Sequence, residues 1–300
     1  MKAGAQGARK LRSMLFVPAD SERKLAKGEA SGADALILDL EDAVAESRKG
    51  VAREMAATYL AARAASGSAG PALYVRINPL DTAYAMADLA AVTGPGLAGI
   101  MLPKTRSAAC IARLSHGLDA LEARAGLAPG RVAIVPVATE TAEAMLTMQS
   151  FVGAGLVRLA AVTWGAEDLS AAVGAMSNRD EDGTYAPLYQ WAGALCLAAA
   201  AAAGVAPLDT VYTDFRDTAG LATACRASRR RGFRGRIVIH PDQVAVVNEA
   251  YSPTAAEIEH ARRIVAAFAD NPGAGALSLD GVMIDRPHLV QAERTLAQLG

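Results

Sequence analysis

Eight short apolar runs, most of them ending on a charged or metal-ligating residue, constrain this chain more than any other feature. They lie at 12–18 (RSMLFVP), 35–40 (ALILDL), 73–78 (LYVRIN), 99–104 (GIMLPK), 132–137 (VAIVPV), 159–164 (LAAVTW), 208–212 (LDTVY) and 236–240 (RIVIH). Helix-forming stretches rich in Ala, Leu, Arg and Glu separate most of them. That alternation predicts an α/β fold, a (β/α)8 TIM barrel. In such a barrel the carboxyl ends of the strands face one cavity, so polar residues there read as catalytic. Here those ends carry Asp39, Glu41, Asp42, Arg76, Lys104, Glu140, Glu167, Asp168, Asp214 and His240. A cavity lined by carboxylates with one or two cations suits a hard metal ion and an acidic substrate.

The chain has 300 residues. A barrel takes about 250, which leaves room for an appendage. The expected division is a catalytic barrel over 1–250 and a C-terminal helical extension or lid over 251–300, with residues 1–10 disordered. The N-terminal MKAGAQGARKLRS is basic, but no apolar segment of signal-peptide length follows it. The composition is 52% hydrophobic with only 5% aromatic, as expected where Ala-rich helices pack closely on a buried parallel sheet. A net charge of −1 without a clustered basic face argues against nucleic acid as a partner. Cys110, Cys196 and Cys225 match no metal-ligand spacing and read as buried thiols of a cytoplasmic protein. The uncharged stretch 186–208 is mostly Ala and reads as a barrel helix, so no membrane partner is expected. No Walker, CxxC or GxSxG sequence occurs, so P-loop and serine-acyl chemistry have no support.

Four constellations carry candidate chemistry. Glu140 and Asp168 end adjacent strands and could share one cation; all-oxygen ligation favours Mg²⁺, or Mn²⁺, over Zn²⁺. Each could instead cap the helix that follows it, but two such carboxylates on neighbouring strands favour the metal. Arg76, at the end of a buried strand, needs an anionic partner: a substrate carboxylate or carbonyl, or a structural ion pair with Asp39 or Glu41. The cluster Asp39, Glu41 and Asp42 needs cations to relieve its repulsion; Glu41 and Asp42 could support the metal through water, or Asp42 could cap a helix. Arg12, Lys49 and Lys104 lie at or after strands, where they could meet phosphate, although Lys49 reads better as a solvated helix face. His240, before a proline, reads as a structural turn, and Arg229–Arg231 as charges near a helix C-terminus.

Beyond the barrel, 254–270 has helical periodicity, and Thr254 with Glu257 forms a capping-box signature. A Gly- and Pro-rich joint (NPGAGA) follows, then the run 279–284 (LDGVMI) and a last helix from about Pro287. This tail is free to act as a lid on its own site or a neighbour's.

Taken in order, RSMLFVPA, ALILDLEDAV, LYVRIN, GIMLPK, TETA, WGAEDLS, GFRGRIVIHPDQV and DGVMIDRPHLVQA resemble the citrate lyase β-subunit-like group of the HpcH/HpaI aldolase superfamily, which includes malyl-CoA, β-methylmalyl-CoA and citramalyl-CoA lyases. The resemblance covers nearly the whole chain. It implies a Mg²⁺-dependent lyase acting on a 3-hydroxyacyl thioester of coenzyme A and releasing acyl-CoA and a small 2-oxo acid. It further implies Glu140 and Asp168 as metal ligands, Arg76 as the carbonyl-polarising residue, and Arg12, Asp39 and Lys104 in the substrate pocket. It implies a homotrimer or hexamer in which Asp285 of the tail reaches a neighbour's site as acid–base. Ala19, Thr139 and Arg236 depart from the group's usual Gly, Ile and Lys; Thr139, beside the metal site, is expected to influence substrate choice.

Two other functions fit the residues: a class II aldolase acting on free 4-hydroxy-2-oxo acids through pyruvate enolate, and a non-catalytic or partner-dependent subunit that needs companion lyase chains. Interception of the thioester by water, a thioesterase reaction, is a further variant.

Overall fold

The protein, a computed structural model, is described over residues 10–299; nearly all of the disorder expected at the N-terminus falls outside the described residues. Eight parallel strands follow in sequence: β1 (Ser13–Pro18), β2 (Ala35–Asp39), β3 (Ala72–Arg76), β4 (Gly99–Leu102), β5 (Ala133–Pro136), β6 (Ala161–Thr163), β7 (Ala206–Asp209) and β8 (Gly235–Val238). The helices between and after them are α1 (Glu22–Glu29), α2 (Lys49–Ser66), α3 (Ala85–Val92), α4 (Ala108–Arg124), α5 (Ala142–Thr147), α6 (Ala166–Val173), α7 (Pro187–Ala203), α8 (Thr218–Arg231) and α9 (Asp242–Ala250). Each strand is flanked by its sequence neighbours, and β1 also pairs with β8. The ring closes between β5 and β6 through two isolated parallel bridges, Ile134 to Leu159 and Val137 to Thr163. This is the (β/α)8 barrel that the sequence predicts. No helix among the described residues is long and apolar enough to cross a membrane; the uncharged 186–208 stretch forms α7 and β7.

Alternation along each strand sorts the side chains. Met14, Ala35, Ile37, Ala72, Tyr74, Met101, Val135, Val137, Ala161, Leu208 and Ile237 pack together as the barrel interior. Two residues after Ile37 comes Asp39, and two after Tyr74 comes Arg76. Charge therefore enters the same inward row only at the carboxyl ends. Gly99 makes this packing feasible: a Cβ there would stand 2.4 Å from the Tyr74 ring and 2.8 Å from the Ala133 carbonyl.

Charges at the amino ends are internally matched. Arg158 is buried, donating to Glu122 through Nη1 (2.7 Å) and Nη2 (2.6 Å) and to the Val132 carbonyl at 3.1 Å, while Glu122 also accepts from the main-chain N–H groups of Gly130 and Val132. Arg12 precedes β1 and holds Asp34, which precedes β2, through Nε (2.9 Å) and Nη2 (2.7 Å). The expectation that Arg12 lines the substrate pocket is thus corrected. It stands before its strand rather than after it, and so faces the end opposite the catalytic mouth.

The chain divides into two compact units, Leu11–Asn248 and a second from Glu249 onward that takes in Lys10; the boundary expected at residue 250 lies two positions away. In the second unit α10 (Ala255–Asp270) begins with the expected capping box between Thr254 and Glu257. An antiparallel hairpin follows, β9 (Ala276–Leu279) and β10 (Val282–Asp285), then α11 (Arg286–Leu296). Ala261, Ile264, Phe268, Ile284 and Ala292 form its core. Asp280 and Gly281 connect the strands with φ of 53° and 79°, the two left-handed positions that an Asp-Gly turn favours.

Candidate active site

A cavity of about 400 Å³ opens at the carboxyl ends of the strands. Phe16, Met101, Val137, Val211, Ile237 and Ile239 give it apolar walls; Asp39, Asp42, Arg76, Glu140, Glu167 and Asp168 give it charge.

Arg76 is fixed before any ligand arrives. Its Nε and Nη2 donate to the two oxygens of Asp39, each at 2.7 Å, and its Nη1 lies 2.9 Å from Glu41 Oε2. The guanidinium sits 4.5 Å from the centroid of the Phe16 ring. Burial works against its charge, but Asp39 and Glu41 more than offset this, so its pKa is raised and the group stays cationic. Asp39 lines the cavity, as expected for a pocket residue. Its oxygens are nevertheless engaged by Arg76 and by the main-chain N–H groups of Glu41 and Ala43, each at 3.0 Å. Its role in the geometry is to hold Arg76.

Lys104 follows β4 with a left-handed backbone, φ 48°. That turn sends its two donors in different directions. The main-chain N–H donates to Glu140 Oε2 at 2.5 Å, and Nζ pairs with Glu41, with Asp42 at 3.3 Å and with Asp168 at 3.2 Å. Lys104, expected in the substrate pocket, has its ammonium drawn to three carboxylates, of which Asp42 and Asp168 line the cavity. Those carboxylates raise its pKa against the effect of burial. Burial raises the Glu41 carboxyl; Asp42, also opposed by partial burial, is lowered by Lys104 and Arg76. Asp42 caps no helix.

Glu140 follows β5 and is buried. Burial and the charge of Asp168 push its carboxyl up to about 8. It is not a cap, since Thr141 caps α5 by accepting from the Ala144 N–H at 3.1 Å. Nor is Asp168, which lies within the first turn of α6 behind an N-cap glycine, Gly165. Neither carboxylate therefore caps the helix that follows it. Gly165 also admits Glu140: a Cβ on it would stand 2.8 Å from Glu140 Cγ and 3.3 Å from Oε1. Two oxygen donors lining one cavity, one of them bearing an unrelieved burial penalty, fit a hard divalent cation whose other positions go to water and substrate. Among the described residues no third Asp, Glu, His or Cys joins them in a metal-binding cluster.

The remaining sequence candidates have their partners within their own units. Asp285 caps α11 in the second unit, with Oδ1 2.5 Å from His288 Nδ1. His240 is a turn residue as expected: its Nδ1 accepts from the Asp242 N–H at 3.3 Å, and its ring stacks on Phe215 at 4.7 Å. Lys49 donates to the carbonyls of Leu40 and Glu41 at 3.0 and 3.1 Å, so it braces the loop after β2 rather than facing solvent. Thr139 lies outside the cavity wall; its hydroxyl accepts from the Gly165 N–H at 3.2 Å, which ties the β5 and β6 loops together. Sequence reasoning missed Phe16 and Gly165. Phe16 is inward by alternation with Met14 and Pro18, and Gly165 stands where a capping side chain would normally be.

The model of the HpcH/HpaI aldolase/citrate lyase family matches residues 12–241, a span that includes every wall of this cavity. The chain belongs to that family. Among its relatives, a (3S)-malyl-CoA thioesterase of Cereibacter sphaeroides is 37% identical over 98% of this chain and 96% of its own length. The mitochondrial citramalyl-CoA lyase of Rattus norvegicus is 34% identical over 94% of this chain and 84% of its own. The crystal structure of CitE from Mycobacterium tuberculosis in complex with magnesium, acetoacetate and coenzyme A matches with a TM-score of 0.75 at 35% identity, covering 96% of this chain and 97% of that one.

Proposed function

We propose that this protein is a Mg²⁺-dependent carbon–carbon lyase. It cleaves, or in reverse forms, a 3-hydroxyacyl-CoA of the malyl-, citramalyl- or citryl-CoA type, giving acyl-CoA and a 2-oxo acid. The observation that carries this reading is the convergence of Glu140, Asp168 and a braced Arg76 on one cavity. Magnesium and coenzyme A in the related CitE crystal support it.

Glu140 and Asp168 would hold the ion. Bound there, Mg²⁺ supplies Lewis-acid stabilisation of negative charge on a substrate oxygen. Arg76, already paid for in orientation by Asp39 and Phe16, donates to the carboxylate or carbonyl of the 2-oxo acid portion. Asp285 of a neighbouring copy, in a trimer or hexamer, takes the substrate hydroxyl proton. The carbon–carbon bond then breaks, its electron pair passes to the acyl-CoA fragment, and the proton returns to that carbon.

The test is product analysis with purified chain, Mg²⁺ and each thioester. Acyl-CoA and 2-oxo acid should appear in equal amounts, and both should vanish with chelator. Conversion of a free 4-hydroxy-2-oxo acid in preference to any thioester would replace this reading with the aldolase. A second reading is favoured by the Cereibacter relative: hydrolysis to free coenzyme A and the hydroxy acid. Release of thiol without 2-oxo acid would establish it. Replacing Asp285 with Asn should lower kcat and leave the Kd for Mg²⁺ unchanged.

A further inference from the structure

The cavity holds one polar group that none of the foregoing uses. Thr163 ends β6, is 1% exposed and lines the cavity wall. Its carbonyl accepts from the Ala138 N–H at 2.9 Å and so takes part in the barrel seam. Its hydroxyl oxygen is buried without any hydrogen-bond partner among the described residues. Alternation from Ala161, which packs in the barrel interior, turns the Thr163 side chain inward. The residues in register with it on the two flanking strands, Val137 and Leu208, are both apolar. A buried hydroxyl with nothing to bond is a standing cost. A site can carry that cost because a ligand with a matching oxygen removes it, whereas a ligand lacking one does not.

We propose that the Thr163 hydroxyl is a specificity-determining contact that donates a hydrogen bond to a carboxylate oxygen of the 2-oxo acid fragment. This rests on the lyase reading and adds to it. Arg76 and the acidic pair select an anionic, oxygen-rich fragment. Thr163, a neutral donor on a different strand, then sets which fragments meet the hydroxyl with an oxygen and which meet it with a methyl or methylene group.

Stability and binding should move in opposite directions on removing the hydroxyl. Thr163→Val keeps the shape and the β-branching but deletes the unpaired group, so the melting temperature of the ligand-free chain should hold or rise. Titration calorimetry of the Mg²⁺-loaded chain with glyoxylate, pyruvate and oxaloacetate should show affinity reduced about tenfold or more for at least one of them, by the usual penalty for a lost polar contact. Thr163→Ser should restore that affinity. Should the valine variant not fold, Thr163→Ala against Thr163→Ser carries the same comparison. If valine or alanine binds every acid as the wild type does, the proposal is overturned and the lyase reading stands. If the Mg²⁺-loaded wild type binds none of the acids, both fall together. Equal loss of affinity in the serine and valine variants would show a packing effect and also overturn it.

Discussion

The two ends of the barrel are built from the same residue types and used in opposite ways. At the amino end Arg158 and Glu122 satisfy one another and the surrounding main chain, and Arg12 does the same with Asp34. At the carboxyl end Arg76 and Lys104 are shared among Asp39, Glu41, Asp42 and Asp168, while Glu140 lines the cavity with a raised pKa. The first arrangement is complete without a ligand. The second is short of positive charge, and the shortage is greatest where the proposed ion would bind. Stability and reactivity are thus separated along the strand axis, as the fold allows.

Substitutions at the two ends should therefore fail in different ways. The largest effect is expected from Glu140→Ala or Asp168→Ala: a loss of about a thousandfold or more in kcat, with unchanged circular dichroism. A collapse of the fold instead would mean that these acids belong with the structural set. At the other end Arg158→Ala leaves Glu122 buried without its cation and should cost about 3–5 kcal/mol of unfolding free energy. Urea titration reads this directly, and kcat per folded molecule should not change. Gly165→Ala tests the cradle between the two. It should weaken Mg²⁺ binding on the order of tenfold by crowding Glu140, seen as a shift in the Mg²⁺ dependence of rate.

The acid shift gives a pH test with a definite sign. In the metal-free chain Glu140 lies at about 8 instead of its ordinary 4.5. Between those values the folded state keeps a proton that the unfolded chain has released, so this group's contribution to stability falls as pH rises toward 8. Mg²⁺ competes with that proton, so added Mg²⁺ should raise the melting temperature more at pH 8 than at pH 6. A Mg²⁺ effect independent of pH would detach Glu140 from the metal. Smallest of all is Arg12→Ala, a partly exposed pair worth about 1 kcal/mol or less. A large change in KM there would return Arg12 to the substrate side and undo the contrast between the two ends.

The barrel was legible because its strands are buried on both faces and read as apolar runs, with charge appearing where each run stops. The same rule identified Glu140, Asp168, Arg76 and Asp39, since a residue just past a strand must face the mouth. It misplaced Arg12, which lies just before one; the run 12–18 begins with it, and apolar character alone does not say which end a flanking charge belongs to. Lys104 depended on a left-handed backbone that no neighbouring residue announces. The β9–β10 hairpin escapes the pattern of apolar runs although Asp280-Gly281 between LSL and VMI is a strong turn signal, because the apolar residues continue past the turn. Unpaired atoms such as the Thr163 hydroxyl depend on what fails to approach them, and spacing along a chain carries no record of that.

The seam between β5 and β6 has a mechanical consequence. Every other neighbouring pair of strands is joined by a ladder, while this one relies on two bridges, and Glu140 and Asp168 stand on its opposite flanks. An ion gripped by both would act as a clasp across the weakest join of the cylinder. Amide protons of Ala138 and Ala160, which bond across that join, should then exchange with deuterium more slowly once the clasp is shut.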